Sequence, residues 1–535
     1  MTNSKHAMIA LAAAVTLLCG CGEKSEQSSR LSYLPVQMDK NADWSIIDKD
    51  GKEVVKEEYP ADASISSVSD DGSFWVKSGD KYQLFSIDQP KQPLIDDEFT
   101  QVTDFADGRA VVGSPNTPIR IIDTKGKVVT TLEANIKRCF GFYKGYAIVL
   151  STDDQYGIID TNGRKVISPA YNDIRGVSEE LLIVKKQQED NIWIVLDTNG
   201  EKQGEINTEK YKFYGITAGK FTACSADNPS GPLVILDKTG KKLFDIKKAP
   251  ASKNQNAYFK DGYMVFTDSE GKMGVVDEKG EIQIRGRYED LYNMGHGEFA
   301  AKKGEKWGVV NVKDETLVDF DFSYHYAQGL GDYFLMRDGN TWSLMNKENK
   351  EVTALDEIGG YAHDYYVEYV NIDNLADQTA KMLEEFEVPK TAQDFAEQLN
   401  MDIDNNHNGN SVVFDDSFDD KVTVSLSVKF ENSLAEEHTH IEKESDGWFT
   451  YDKTVSDGWT WRTEPFSAIN GKIEISSEID FTSFVKALDA RLKQTHQVVS
   501  EGEYTRKVDA NGRQATYRLK LEHTYGGLDV VIQEK

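Results

Sequence analysis

The stretch QYGIIDTNGRKVISPAY, Gln155–Tyr171, contains a short apolar run that ends in an aspartate, and a glycine follows three residues later. Such a run of β-branched residues is typical of a strand that is buried on both faces. The aspartate can accept hydrogen bonds from the backbone of a turn, and glycine readily takes the positive φ that such a turn needs. A second apolar run, KVIS, comes next. The stretch therefore predicts a β-hairpin.

The same pattern recurs along the chain. Its turn residue, aspartate or in the last two units asparagine, stands at nine positions: Asp48, Asp88, Asp123, Asp160, Asp197, Asp237, Asp277, Asn311 and Asn346. Four positions before each turn residue stands a large apolar residue: Trp44, Leu84, Ile119, Tyr156, Trp193, Leu233, Met273, Trp307 or Trp342. Three or four short strands in a unit of roughly 37 residues is the size of one propeller blade. We expect the large residues to be wedges between neighbouring sheets.

These units resemble the WG (KWG) repeat family, most closely in EKWGVVN from Glu305, QYGIID from Gln155 and GKMGVVD from Gly271. The resemblance covers about residues 31–355. It implies a mainly β architecture in an exported bacterial protein that offers an interaction surface, and it implies little chemistry. We expect a propeller-like ring because closure removes exposed sheet edges, with an open β-solenoid as the alternative.

The N-terminus has the composition of a targeting segment. Lys5 precedes the apolar stretch AMIALAAAVTLL, which suits a signal peptide and is too short to span a bilayer. The sequence LCGC, ending at Cys21, resembles a bacterial lipoprotein signal, whose cysteine becomes the lipid-modified (palmitate-bearing) first residue. Gly22, rather than aspartate, implies the outer membrane. We therefore predict a lipoprotein signal peptide over residues 1–20 and a flexible tether over residues 21–30, with an ordinary cleaved signal peptide as the alternative.

The net charge of the chain narrows the choice of partners. The formal net charge is −29 at pH 7, which disfavours nucleic acid and anionic membrane surfaces as partners. The predicted contact with the membrane is made through the lipid anchor.

Cys139 and Cys224 are the cysteines outside the signal region, and an exported compartment permits a disulfide between them. They stand at non-equivalent points of the repeat, so free thiols are the alternative.

The pattern changes after Glu357. Segments with helical periodicity, such as NLADQTAKMLEEF and DFTSFVKALDARL, alternate with period-two segments such as KVTVSLSVKF. We predict a WG-repeat β domain of about nine units over residues 31–357 and an α+β domain over residues 358–535. The fold class is mainly β, a β-propeller-like ring followed by this C-terminal α+β domain.

One loop of the second domain has the spacing of a calcium-binding loop. In DIDNNHNGNSVVFDD the oxygen ligands would come from Asp404, Asn406, Asn408, Asn410 and Asp415, around a glycine that permits a sharp turn. Two formal charges among the ligands predict weak binding, in the range of about 10⁻⁴–10⁻³ M. The alternative is a plain Asn-Gly loop between helix and strand. The sequence predicts no other cofactor.

Two further clusters in this domain each have a functional and a structural interpretation. Five aromatic residues gather around two SDGW sequences: Trp448, Phe449, Tyr451, Trp459 and Trp461. They are candidates for a platform that binds a peptide or sugar ring, or for the buried face of the sheet. His438, His440 and Glu442 alternate on one face of a strand and are candidate metal ligands, with a solvated hairpin arm as the alternative.

The sequence holds no recognised catalytic motif: G-x-S-x-G, H-E-x-x-H, the P-loop and the Rossmann glycine pattern are all missing. We therefore expect a lipoprotein anchored in the bacterial cell envelope, at the outer membrane, that acts as a non-catalytic binding platform for a protein or glycan. The alternative is a hydrolase of envelope polymers with an unrecognised active site. Catalysis would require acids, bases or nucleophiles that converge in one pocket.

Overall fold

The computed structural model describes residues 30–534, except residues 115–116, 178–180, 186–190, 198–199, 208, 218, 256, 327, 361–365, 388–390, 400, 407–408, 431–432, 446–449, 464–467, 477–478 and 511–512. The chain divides after Tyr369 into two compact units. The predicted signal peptide and residues 21–29 of the predicted tether, with Cys21, lie outside the described residues, and the last tether residue, Arg30, is described. Within them, no helix has both the length and the apolar character needed to cross a membrane.

The first unit consists, over the residues that the structure describes, of nine small antiparallel sheets, called blades 1 to 9 in chain order. Blade 1 contains β1 (Tyr33–Gln37), β2 (Trp44–Asp48) and β3 (Glu53–Tyr59). Blade 2 contains β4 (Ser64–Ile65), β5 (Ser73–Ser78) and β6 (Lys81–Ser86). Blade 3 contains β7 (Gln101–Val102), β8 (Arg109–Gly113), β9 (Arg120–Asp123) and β10 (Val128–Thr131). Blade 4 contains β11 (Ile136–Phe140), β12 (Tyr146–Ser151), β13 (Tyr156–Asp160) and β14 (Lys165–Tyr171). Blade 5 contains β15 (Asp173–Val177), β16 (Leu181–Lys185), β17 (Ile192–Asp197) and β18 (Lys202–Asn207). Blade 6 contains β19 (Tyr211–Thr217), β20 (Lys220–Ser225), β21 (Pro232–Asp237) and β22 (Lys242–Pro250). Blade 7 contains β23 (Phe259–Lys260), β24 (Tyr263–Thr267), β25 (Met273–Asp277) and β26 (Ile282–Tyr288). Blade 8 contains β27 (Asp290–Gly295), β28 (Glu298–Lys303), β29 (Lys306–Asn311) and β30 (Thr316–Phe322). Blade 9 contains β31 (Tyr324–His325), β32 (Phe334–Asp338), β33 (Thr341–Met345) and β34 (Glu351–Leu355). Two further strands follow, β35 (Glu357–Ile358) and β36 (Tyr366–Glu368).

The ring closes because β35 returns to the first blade. It pairs antiparallel with β1, and Val36 stands opposite Ile358. Blade 1 is thereby a four-stranded sheet built from both ends of the unit. Each blade packs on the next through a cluster of buried apolar side chains, and one such cluster joins blade 9 to blade 1 through Leu34 and Trp342. The propeller-like ring is thus confirmed over the open solenoid, whose ends would not meet.

The large residues of the repeat lie in these clusters between blades. Trp193, for example, is 5% exposed and packs with side chains of blades 5 and 6. Tyr156 and Met273 are partly buried in their clusters, and the other seven members of the set are buried. Their placement between neighbouring sheets confirms that they are wedges.

In most units the turn residue acts as a cap; Asp88 is an exception, because blade 2 has no fourth strand after it. The Asp160 Oδ1 accepts hydrogen bonds from the backbone N–H groups of Asn162 at 2.8 Å and Arg164 at 2.9 Å. Gly163 takes a φ of +74°, and its N–H donates to the carbonyl of Asp160. The same pair of side-chain bonds is made by Asp48, Asp123, Asp237, Asp277, Asn311 and Asn346. The hairpin prediction is therefore confirmed at these seven turn residues.

β35 and β36 join the ring at two different blades, blade 1 and blade 4. β36 pairs antiparallel with β11, the first strand of blade 4. The seven residues between Ile358 and Tyr366 reach at most about 30 Å when extended, too little to pass around the outside of the intervening blades. The first strands therefore line the inside of the ring. We call residues 366–369, which remain with the first unit, the strap.

The alternation of strand direction separates the loops onto two faces of the ring. Turns between the first and second strands, and between the third and fourth, lie on one face, which we call the lower face. The other turns and the links between blades lie on the opposite, upper face. The first strand of each blade runs from the upper face to the lower face.

The second unit is an α+β sandwich. Its helices are α1 (Ile372–Glu385), α2 (Ala392–Leu399), α3 (Ile403–Asn406) and α4 (Phe481–Thr495). Its strands are β37 (Ser411–Phe418), β38 (Val422–Lys429), β39 (Ala435–Ser445), β40 (Thr450–Trp461), β41 (Ala468–Ile475), β42 (Gln497–Ser500), β43 (Glu503–Ala510), β44 (Arg513–Thr524) and β45 (Gly527–Glu534). Seven of them form one sheet in the order β37-β38-β41-β45-β44-β43-β42, and β39 pairs with β40 in a separate hairpin. The predicted α+β class is confirmed.

The helices bury the faces that the sequence indicates. Leu375 and Leu383 of α1 and Leu488 of α4 share one core with the sheet. Asp480 caps α4, since its side chain accepts a hydrogen bond from the N–H of Ser483 at 2.7 Å. Local patterning therefore specifies both the helices and the faces they bury.

Cys139 and Cys224 are free thiols, and both are fully buried. They belong to different clusters: Cys139 lies between blades 3 and 4, and Cys224 lies between blades 6 and 7. The two cysteines therefore do not form the disulfide that an exported compartment would permit. They are the free thiols that were the alternative. Burial in apolar surroundings raises the pKa of the Cys139 thiol and keeps it protonated.

Candidate functional site

Blades 8 and 9 bring together five ring side chains, which we call the aromatic shelf. Tyr292 lies on β27, Tyr324 and His325 lie on β31, and the wedge residues Trp307 and Trp342 lie behind them. The centroid of the His325 ring is 4.3 Å from that of Trp307, 4.7 Å from that of Tyr292 and 5.5 Å from that of Tyr324. Trp342 meets Tyr324 edge-to-face at 6.1 Å. These are contact distances for aromatic pairs.

The shelf has a buried layer and an exposed layer. Trp307, Trp342 and His325 are buried, whereas Tyr292 is 48% exposed and Tyr324 is 54% exposed. Both tyrosines lie on first strands and contact the buried His325. Neighbouring half-exposed aromatic rings on a rigid base are typical of binding surfaces.

Polar atoms surround these rings. The Nδ1 of His325 and the Nε of Arg337 are buried and lack a hydrogen-bond partner among the described residues. Burial lowers the pKa of His325, so the imidazole is neutral at pH 7. The guanidinium of Arg337 lies 5.7 Å from the centroid of Trp342, within cation–π range.

The hydroxyl of Tyr292 keeps its proton at neutral pH. Burial, together with the charge of Asp290 and the neighbouring Tyr324, raises the pKa of Tyr292. A protonated phenol both donates and accepts hydrogen bonds. The shelf therefore offers flat apolar rings, hydroxyl groups and one nearby carboxylate, a set suited to binding.

A charged cavity of about 390 Å³ lies on the lower face, where blades 8, 9 and 1 meet. Arg30 donates to the carbonyl of Gly331 at 2.7 Å and forms an ion pair with Glu298. Lys347 approaches the same carboxylate at 3.0 Å. Opposite charges therefore compensate each other here. We interpret this cluster as a contact that holds the start of the ring against its last two blades.

The residues of the predicted calcium loop lie on different elements. Asp404 and Asn406 belong to α3, and Asn410 directly precedes β37. Asp415 is exposed within β37, opposite Ser425 of β38. Asn408 lies outside the described residues. The calcium site stays a prediction.

The predicted aromatic platform of the second unit falls partly outside the described chain. Trp448 and Phe449 are among the residues not described, and Tyr451, Trp459 and Trp461 lie on β40. Trp459 is partly buried, and Trp461 packs against the core of the unit. The packing role of Trp461 agrees with the structural interpretation, and the binding role stays a prediction.

The candidate metal ligands of the hairpin have other partners. His438 contacts the hydroxyl of Thr460 at 2.8 Å. The two ring nitrogens of His440 contact Asp457 at 2.7 Å and Glu442 at 3.0 Å, and these contacts raise the pKa of His440. In the described part of the chain, no group of three or more His, Cys, Asp or Glu side chains is arranged to hold a metal. The exposed strand residues fit the solvated hairpin arm.

The comparisons with known proteins agree with the architecture. The fold defines a mainly β repeat protein with a propeller-like ring. It contains WG repeats at two places, where the family model described as WG containing repeat matches residues 156–188 and 273–307. No curated protein is similar enough in sequence to count as a match.

Several solved structures resemble the chain at low sequence identity. The computationally designed Ika8 protein is 14% identical, with 55% of this chain and 96% of that chain covered and a TM-score of 0.33. A eukaryotic initiation factor is 10% identical, with 63% and 98% covered and a TM-score of 0.38. Hsv2 of Kluyveromyces lactis is 12% identical, with 50% and 98% covered and a TM-score of 0.28.

Proposed function

We propose that this protein is a lipoprotein of the bacterial cell envelope, anchored at the outer membrane, whose ring is a non-catalytic binding platform for a protein or glycan. The aromatic shelf is the observation that carries the proposal. Its two exposed tyrosines rest on buried rings of neighbouring blades, so their positions are fixed before a partner arrives. Preorganisation of this kind reduces the ordering cost of binding.

The position of the N-terminus supports this proposal. Arg30 is fixed on the lower face by Glu298 and Gly331. Eight residues lie between Cys21 and Arg30, a reach of about 30 Å when extended. A lipid on Cys21 would hold the lower face near the bilayer. Tyr324 begins a first strand at the upper face, so the shelf would open away from the membrane, toward partners.

Lipidation is tested by the Cys21→Ser variant. We expect this variant to leave the membrane fraction or to accumulate with its signal peptide uncleaved, because the thioether-linked lipid cannot form. The measurement is membrane fractionation combined with intact-mass analysis. A correctly cleaved variant that still sediments with the membrane would refute the lipid anchor.

The platform is tested by placing a photo-crosslinking amino acid at position 324 of the full chain in living cells. We expect this position to capture a partner, identified by mass spectrometry. The same amino acid at Tyr525, a fully exposed aromatic position of the second unit, is the matched control. Equal capture at both positions, or no capture at position 324 under varied growth conditions, would contradict a platform centred on the shelf.

A further inference from the structure

We propose that the aromatic shelf binds the apolar face of a pyranose ring in a neutral glycan. The inference rests on the proposed function above and names the class of ligand for the same site. It follows from the shape of the shelf, from its polar surroundings and from its charge.

The shape favours a flat ligand over an inserted side chain. A peptide or protein partner usually anchors itself by filling a desolvated pocket. Beneath the two tyrosines, however, the space is already occupied by His325 and Trp307, whose centroids are 4.3 Å apart. A ligand can therefore lie on the shelf but cannot enter it. The C–H face of a sugar ring makes contacts of this kind with aromatic rings.

The polar groups suit the hydroxyl groups at the edge of a sugar. The phenols of Tyr292 and Tyr324 can each donate and accept a hydrogen bond. Asp290 begins the strand that carries Tyr292, and its charge acts on that phenol. Its Oδ1 accepts the N–H of Leu291 at 2.9 Å, and a carboxylate has the capacity for further donors. Both tyrosines contact His325, so one ligand can touch both.

The charge favours a neutral glycan over an acidic one. Asp290 places a negative charge beside the shelf, and the whole chain carries a formal charge of −29. Arg337 places a positive charge near Trp342 as well, so an anionic sugar would be repelled by Asp290 and by the net charge of the chain but attracted by Arg337. A neutral oligosaccharide avoids this cost and can still donate hydroxyl protons to the carboxylate.

The test measures binding of the full chain to an array of neutral oligosaccharides that includes N-acetylglucosamine, glucose and mannose oligomers, followed by calorimetric titration of the ligands found. We expect Tyr324→Ala and Tyr292→Ala each to weaken binding by about fivefold to tenfold, since loss of an aromatic contact costs about 1 kcal/mol. Tyr324→Phe should keep most of the affinity because it keeps the ring. Tyr525→Ala is the control and should leave affinity unchanged.

The outcomes separate this inference from the proposed function. Absence of binding across the array, or equal binding by wild type and Tyr324→Ala, would overturn the glycan assignment. If position 324 nevertheless captures a protein by crosslinking, the platform stands and its ligand is a protein. If neither experiment gives a partner at the shelf, both proposals fail. Equal melting temperatures of wild type and variants would show that the affinity changes do not arise from unfolding.

Discussion

Gly113, at the end of β8, shows how closely the strap fits the ring. A Cβ atom built at this position would lie 2.4 Å from the Cγ1 of Val367, which is nearer than two carbon atoms approach without a shift. Val367 is fully buried in the cluster between blades 3 and 4. Glycine is therefore required here by the close approach of another chain segment, in contrast to the turn glycines, which are required by their φ.

We predict that Gly113→Ala destabilises the ring by about 1–3 kcal/mol, the usual cost of overpacking a core. Val367→Ala should relieve the clash, so the double variant should be less destabilised than the sum of the two single changes. The measurement is denaturant unfolding followed by tryptophan fluorescence. Gly141→Ala is the control, since its Cβ would meet Thr103 at an ordinary 3.5 Å. A Gly113→Ala protein as stable as wild type would show that the strap does not pack as described.

Protonation of His325 makes the stability of the protein depend on pH. Its pKa is lowered by burial, so the unfolded state binds a proton more readily than the folded state between the two pKa values. Stability should therefore fall as the pH drops below about 6.5, the ordinary pKa of histidine. We predict that the melting temperature decreases less between pH 7.5 and pH 5 in His325→Gln than in wild type. Identical decreases in the two proteins would exclude this role of His325.

At the scale of elements, the capped hairpin is the unit from which the ring is built. The cap depends on an oxygen that accepts two backbone N–H groups, two and four residues further along the chain. Asparagine does the same at Asn311 and Asn346, because its side-chain oxygen has the same reach. The charge of the aspartate is therefore not what the turn requires.

We predict that Asp160→Ala destabilises the protein by about 1–2 kcal/mol, since two backbone donors lose their partner. Asp160→Asn should cost little, as the eighth and ninth units indicate. The measurement is the shift of the thermal midpoint. Asp153→Ala, at an exposed position in the loop before the same strand, is the matched control. If Asp160→Asn were as damaging as Asp160→Ala, the charge would be essential after all.

The shelf was not predicted from the sequence. Tyr292 and Tyr324 stand in two different repeats, and sequence patterns give no measure of how much of a ring is exposed. The available signal was an aromatic residue on the first strand of each of two neighbouring units. Their contact with one histidine arises only when blades 8 and 9 stack.

At the scale of the whole molecule, closure decides the architecture. Gln37 of β1 stands directly opposite Glu357 of β35, although the two residues are 320 positions apart. Opposite residues of antiparallel strands have Cα atoms about 4.5–5.5 Å apart, which a disulfide can bridge.

We predict that Gln37→Cys combined with Glu357→Cys forms a disulfide in the full chain under oxidising conditions. The bond should raise the thermal midpoint, with a stabilisation of as much as about 4 kcal/mol from the long loop it closes. Peptide mapping by mass spectrometry detects the bond, and each single cysteine variant is a control. Cys139 and Cys224 do not compete because they are fully buried. Failure of the pair to join would indicate an open ring.

The sequence by itself determined the repeat, the turns, the wedge positions and the helices of the second unit. Each of these depends on residues within about one turn or one strand of each other, such as Asp160 and Gly163, so the pattern is complete in a short window. The tertiary structure decided how the pieces join. The closing strand β35 contains only Glu357 and Ile358, too few residues to carry a periodic signal, and the strap binds the edge of β11 more than 200 positions earlier in the chain. Whether a ring closes depends on the small rotation between neighbouring blades added over the full circle, and that rotation is set by packing between residues far apart in sequence.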